Sequence, residues 1–161
     1  GIDDGEGDIS IIEGLSGTFS AGYSSTYTGE NNWIDRLGVL SSAFPFIVNS
    51  EPEYAISVAY EDDRYRTIAS SFEYGGLEGS SDRQDLLLSI LNFLDNGGQP
   101  DWIPGDVNQD GALDIMDVII MVDFILETHA PLPVEYWSSN INQDEGIDLL
   151  DIIMIISIIL E

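Results

Sequence analysis

One sequence unit occurs twice near the C-terminal end of the chain, and this repeat restricts the possible folds more than any other feature. DVNQDGALDIMDVIIMVDFIL (106–126) aligns without gaps on NINQDEGIDLLDIIMIISIIL (140–160), at an offset of 34 residues. Both copies place Asp or Asn at repeat positions 1, 3, 5, 9 and 12, and both continue into nine mostly apolar residues. The repeat predicts two copies of one loop-plus-helix unit.

The spacing of the acidic residues in the first copy fits a calcium-binding loop. Such a loop supplies oxygen from side chains at positions 1, 3 and 5, from the carbonyl at 7, through water at 9, and from an acid at 12. Gly111 occupies position 6, where the sharp turn favours glycine. The predicted ligands are Asp106, Asn108, Asp110, the carbonyl of Ala112, Asp114 and Asp117.

The second copy has the same pattern with two departures. Asn140 replaces the first aspartate, and Glu145 stands where the first loop has glycine, so we expect weaker calcium binding here. The alternative is an acidic, solvated turn without a ligand. The predicted ligands of this second calcium ion are Asn140, Asn142, Asp144, the carbonyl of Gly146, Asp148 and Asp151.

The charge balance excludes several classes of partner. The chain has 30 Asp and Glu against 4 Lys and Arg, a formal net charge of −26, so we expect neither nucleic acid nor anionic lipid as a partner. Cysteine is absent, which excludes disulfides and a cysteine nucleophile, and the only histidine is His129. No catalytic constellation is recognisable, so the sequence predicts a protein that is not an enzyme. We also expect no membrane insertion, because the apolar runs are short.

The region before the repeat mixes strand and helix patterns. We expect strands or strand ends in 9–15, 18–29, 53–62 and 65–77, and a helix over 80–95. Leu86, Leu87, Ile90, Leu91 and Leu94 form its predicted apolar stripe. The predicted domains are an α+β or α/β module at 1–97, possibly partial, a Gly- and Pro-rich linker at 98–104, and the repeat at 105–161.

The repeat resembles the dockerin family. The resemblance rests on the duplicated calcium loops, each ending in aspartate at position 12, and covers residues 105–161. It implies an all-α, EF-hand-type pair that docks a cohesin-like β-sandwich. The family's recognition pair at loop positions 10 and 11 maps to apolar residues here, and we add the residue one helical turn later in each copy. The predicted partner surface is therefore Ile115, Met116, Ile119, Leu149, Leu150 and Ile153.

A weaker resemblance covers residues 14–94. GLSGTF, WIDRL and DRQDLLLSILNFL are similar to the C-terminal half of flavodoxin-like, class I glutamine amidotransferase-like domains. The catalytic Cys-His-Glu triad of the amidotransferases is absent, so no activity carries over. Together, these features predict a secreted, non-catalytic assembly protein at the cell surface or outside the cell, in a scaffold or a fibre. The alternatives are the C-terminal part of a secreted hydrolase with its catalytic domain upstream of Gly1, and a calcium sensor or buffer.

Overall fold

The computed structural model describes residues 9–31, 33–40, 42–144 and 146–160. The chain divides into two compact units, Gly1–Asp101 and Trp102–Glu161. The division falls within the segment 98–104, where the composition predicts a linker. Each unit has its own buried apolar residues, which are described separately below.

The first unit is built on one five-stranded sheet. Its strand order is β2-β1-β3-β4-β5, and every neighbouring pair is antiparallel. The central strands β3 and β4 are largely buried, whereas the edge strand β5 is mostly exposed. The strands are β1 (Ile11–Gly14), β2 (Ser24–Thr26), β3 (Phe44–Ser50), β4 (Glu53–Glu61) and β5 (Arg66–Ser70).

One helix, α1 (Ser80–Asn96), packs against this sheet through an aromatic cluster. Phe93 is fully buried and stacks on Phe19, with ring centroids 4.5 Å apart. Phe19 in turn lies 4.7 Å from the ring of Phe46 in β3. The predicted apolar stripe is only partly correct, because Leu86 is buried and Ile90 half-buried while Leu87 faces solvent. Leu91 and Leu94 are exposed as well. The prediction did not include Phe93.

The C-terminal end of α1 is tied to the β4–β5 hairpin by hydrogen bonds to an ion pair within that hairpin. Arg66 Nε donates to Glu61 Oε1 over 2.7 Å, and the backbone N–H of Gly98 donates to Glu61 Oε2 over 3.0 Å. The Gly98 hydrogen bond, together with Arg66, holds the pKa of Glu61 below its ordinary value. Gly97 ends the helix at a positive φ of 82°, a conformation that glycine adopts readily.

The second unit contains three helices and the two loops of the repeat. The helices are α2 (Ile115–Ile125), α3 (Pro133–Ser139) and α4 (Leu149–Ile159). Trp102 and Trp137 pack edge to face, with ring centroids 5.3 Å apart. Side chains from α2, α4 and the first loop form the core, which consists of Val107, Val118, Met121, Phe124, Ile152 and Ile155.

The predicted fold class is wrong in its all-α second part and in the α/β alternative for its first part. The five-stranded sheet is antiparallel throughout, which excludes an α/β module, since a flavodoxin-like domain has a parallel sheet. The second unit does not form an all-α, EF-hand-type pair, because residues 101–114 before α2 contain turns and bends rather than a helix. Only α3, with seven residues, precedes the second loop. The first unit is an antiparallel sheet with α1 packed against it, and the second unit contains α2, α3 and α4.

None of the helices in the described part of the chain is long and apolar enough to cross a membrane.

Candidate metal-binding loops

Asp117 closes the first loop. Its side chain is fully buried, and Oδ1 accepts hydrogen bonds from the backbone N–H of Val107 at 2.8 Å and of Asn108 at 3.3 Å. Oδ2 accepts from the N–H of Asp114 at 2.9 Å. Asp114 caps α2 in return, because its side chain accepts from the N–H of Met116 at 2.7 Å. Positions 9 and 12 of the loop are thus also the two members of a helix capping box.

Asp106 organises the other side of this loop. It is 3% exposed, and its carboxylate accepts from the N–H groups of Asp110 at 3.1 Å and Gly111 at 2.9 Å. Asn108 donates its side-chain amide to Asp110 over 2.9 Å. The backbone N–H of Ala112 also donates to Asp110. The carboxylates of Asp106 and Asp117, at positions 1 and 12, are therefore enclosed by the loop. The side chains at positions 3 and 5, Asn108 and Asp110, are exposed.

The second loop repeats this arrangement. Buried Asp151 accepts from the N–H of Asn142 at 3.1 Å and of Asp148 at 2.9 Å. Asn140 accepts from the N–H of Asp144 at 3.1 Å, and its amide donates to the carbonyl of Asp144 at 2.9 Å. Gly146 donates its N–H to Asp144, as Ala112 does to Asp110. Glu145, the predicted departure at position 6, lies outside the described residues.

The electrostatics of this unit are unusual. Residues 102–161 contain twelve Asp and Glu and neither lysine nor arginine, because all four arginines lie within residues 36–83. Asp106, Asp117 and Asp151 are nevertheless buried. His129 is exposed, with Nε2 3.8 Å from a carboxylate oxygen of Glu135. Buried carboxylates need compensating charge or hydrogen bonds. The partners that the structure gives for these three carboxylates are backbone N–H groups of the loops.

The donor atoms fit a hard cation. They are carboxylate, amide and carbonyl oxygens without sulfur or nitrogen ligands, which is the set that calcium prefers. Within residues 9–31, 33–40, 42–144 and 146–160, no three His, Cys, Asp or Glu side chains are grouped closely enough to hold a metal. The carboxylates at positions 1 and 12 instead accept hydrogen bonds from loop N–H groups.

The predicted partner surface is exposed. The exposed fractions of its six side chains lie between 48% and 66%. These side chains are Ile115, Met116, Ile119, Leu149, Leu150 and Ile153. Sequence reasoning missed their continuation along each helix, by Val122 and Leu126 on α2 and by the equivalent Ile156 and Leu160 in the second copy. The spacing i, i+4, i+7 and i+11 of these stripes was the available signal, because it places residues on one helical face.

No protein-family model, no curated protein and no solved structure matches the sequence.

Proposed function

We propose that the chain is a non-catalytic assembly protein of the extracellular space. Its second unit is a dockerin-like module that binds calcium in both loops and docks a partner through the exposed faces of α2 and α4. The observation that carries the proposal is the closure of both loops over buried Asp117 and Asp151, which accept from the N–H groups of Asn108 and Asn142, in a unit without lysine or arginine.

The residues have distinct roles in this proposal. Calcium supplies positive charge to each loop. Asp106, Asp110 and Asp117 are the charged ligands of the first ion, with Asp114 acting through water, and Asn108 and the Ala112 carbonyl add neutral oxygens. The second site has one carboxylate fewer, because Asn140 is neutral, and so it binds more weakly. Ordered loops then fix the start of both helices through the two capping boxes.

Docking follows from the two apolar stripes. Soluble proteins rarely expose extended apolar faces, and such faces commonly mark a site of protein association. The stripes occupy the same positions in both copies, at Ile115, Ile119, Val122 and Leu126 and at Leu149, Ile153, Ile156 and Leu160. The proposed partner is a cohesin-like β-sandwich or the neighbouring subunit of the same assembly. The net charge of −26 repels nucleic acid and anionic lipid, which argues against either of them as the partner.

A calcium titration of the full chain tests the proposal. After treatment with chelator, calorimetry should detect two calcium ions per chain, and calcium should raise the unfolding temperature of the second unit. Saturation at about one hundred times the dissociation constant stabilises by about 2.7 kcal/mol per site. Electron microscopy of the calcium-loaded protein then distinguishes self-assembled fibres from a monomer that needs a separate β-sandwich. If calorimetry detects no heat of calcium binding and the unfolding temperature is unchanged, the calcium function is refuted.

A further inference from the structure

The two loops are connected to each other by hydrogen bonds at their beginnings. The backbone N–H of Gly105, just before the first loop, donates to the carbonyl of Ser138 over 2.8 Å. The side-chain amide of Gln109 donates to Ser138 Oγ over 3.1 Å, and also to the carbonyl of Asp106 over 2.6 Å. Ser138 lies two residues before Asn140, the first residue of the second loop. The Gln109–Ser138 contact therefore joins one loop to the start of the other.

Only one end of this connection is protected from solvent, because Gln109 is exposed. Ser138 is fully buried, and Asp106 and Asn140 are 3% and 7% exposed. Gln109 adopts a positive φ of 57°. Gln143 has the same backbone conformation in the second copy. However, the residue equivalent to Ser138 in the first copy is Pro104, which has no side-chain hydroxyl to accept a bond.

The loops also share one core. Val107, the second residue of the first loop, is 1% exposed and belongs to the same cluster as Ile152 and Ile155 of α4. Ile141, the second residue of the second loop, packs against that cluster. Ordering the first loop therefore fixes atoms that contact both the entrance of the second loop and the helix that follows it.

We infer that Ser138 is a positioning residue through which an ion in loop 106–117 raises the calcium affinity of loop 140–151. The inference rests on the proposed calcium function and adds a filling order to it. The first loop has four carboxylates and fills first. Its closure holds Gln109 against Ser138. This contact fixes the position of the backbone that leads into Asn140. The second loop then loses less conformational freedom when its own ion binds, so its affinity rises.

A double-mutant cycle on the full chain tests this coupling. Calcium affinities of both loops are measured by calorimetry in the native chain, Ser138→Ala, Asp110→Ala and the combined variant. Asp110→Ala removes a surface ligand and disables the first loop, leaving the second loop to be measured alone. The matched control is Ser139→Ala, which removes an equally buried neighbouring hydroxyl that has no hydrogen-bond partner.

The coupling predicts a specific pattern. Ser138→Ala should lower the affinity of the second loop about fivefold, the size expected for one buried hydrogen bond. The affinity of the first loop should stay unchanged as long as the second loop is empty, because coupling acts only when both loops are filled. In the Asp110→Ala background, Ser138→Ala should have no further effect on the second loop, because no ion in the first loop is present to raise its affinity. Ser139→Ala should leave both affinities unchanged. An equal loss in both backgrounds would show a purely local structural role and overturn the inference, as would no loss in either.

A second pair of variants keeps the test valid if Ser138→Ala does not fold. Gln109→Asn shortens the bridging side chain at an exposed position and retains a residue that tolerates positive φ. It should weaken the second loop as Ser138→Ala does, whereas Gln143→Asn should not lower the affinity of the first loop. If Gln109→Asn leaves the second loop unaffected, the inference is wrong. If no variant and not even the native chain binds calcium, the proposed function itself fails, which is a different result.

Discussion

The backbone N–H of Val107 donates a hydrogen bond to the carboxylate of Asp117, 2.8 Å away and ten positions later in the chain. This bond brings the last residue of the first loop back to its second residue. It anchors the loop to the core as well, because Val107 is buried among side chains of α4. The conformation of the loop and the packing of the unit therefore depend on one aspartate.

Asp117→Ala should destabilise the second unit and abolish calcium binding in the first loop. The substitution removes the acceptor of the N–H groups of Asn108 and Asp114 and half of the capping box of α2, at a combined cost of about 2–4 kcal/mol. Urea unfolding followed by circular dichroism, with calorimetry for calcium, measures both effects. Asp123→Ala, on the exposed side of the same helix, should change neither. Equal stability of the two variants would contradict the closing role of Asp117.

The combined substitution Ile115→Asp and Leu149→Asp should abolish assembly while calcium binding remains. Both side chains are more than 60% exposed, so the changes leave the core intact but place charge in each apolar stripe. Assembly is measured by electron microscopy and analytical ultracentrifugation in calcium, and binding by calorimetry. Leu91→Asp, at an exposed leucine of α1 in the other unit, is the control and should assemble normally. Unaltered assembly of the double variant would place the interface elsewhere.

The first unit should lose stability in acid through Glu61. Hydrogen bonds from Gly98 and Arg66 hold its folded pKa below the ordinary value of a glutamate, so the folded state favours the charged carboxylate. That contribution is complete above the unfolded pKa and is lost as the pH falls through the lowered folded pKa. Glu61→Gln should therefore cost about 1–2 kcal/mol at neutral pH and almost nothing in strong acid. Urea unfolding from neutral pH to strong acid should show the unfolding free energies of the variant and the native chain converging. The exposed Glu78→Gln should follow the native curve, and a constant deficit for Glu61→Gln would contradict the ionic origin.

The aromatic cluster should dominate the stability of the first unit. Phe93→Ala removes a fully buried ring that stacks on Phe19, and we expect a loss of about 3–5 kcal/mol. Leu91→Ala, two residues earlier on the exposed face of α1, should cost less than about 1 kcal/mol. Chemical denaturation monitored by circular dichroism compares the two variants. Similar losses would mean that α1 is held by its exposed face instead.

The repeat could be read from the sequence because its information is local. Spacing alone predicted a loop and then a helix in each copy, and the structure places α2 and α4 directly after the loops. The same spacing did not reveal that Asp114 and Asp148 also cap those helices, although Asp at position 9 and Asp at position 12 have the separation of a capping box. The calcium and docking hypotheses remain predictions.

Two elements were missed for identifiable reasons. The central strand β3 contains Pro45. Proline usually argues against a central strand, but a register irregularity next to Pro45 accommodates it. The short helix α3 was taken as part of a connector. Its signal was proline at the first helical position with Glu135 two residues later, whose carboxylate accepts from the N–H of Leu132. The antiparallel sheet order depends on contacts between distant segments, which local periodicity does not encode.

The edge-to-face pair of Trp102 and Trp137 gives the second unit an optical reporter of its own. Trp102 precedes the first loop and Trp137 precedes the second, so their mutual geometry follows how the two loop entrances are held. The third tryptophan of the chain, Trp33, is 58% exposed in the other unit and contributes a solvent-like emission. Ultraviolet emission spectra of the unlabelled protein can therefore follow rearrangement at the loop entrances in real time, without any added dye.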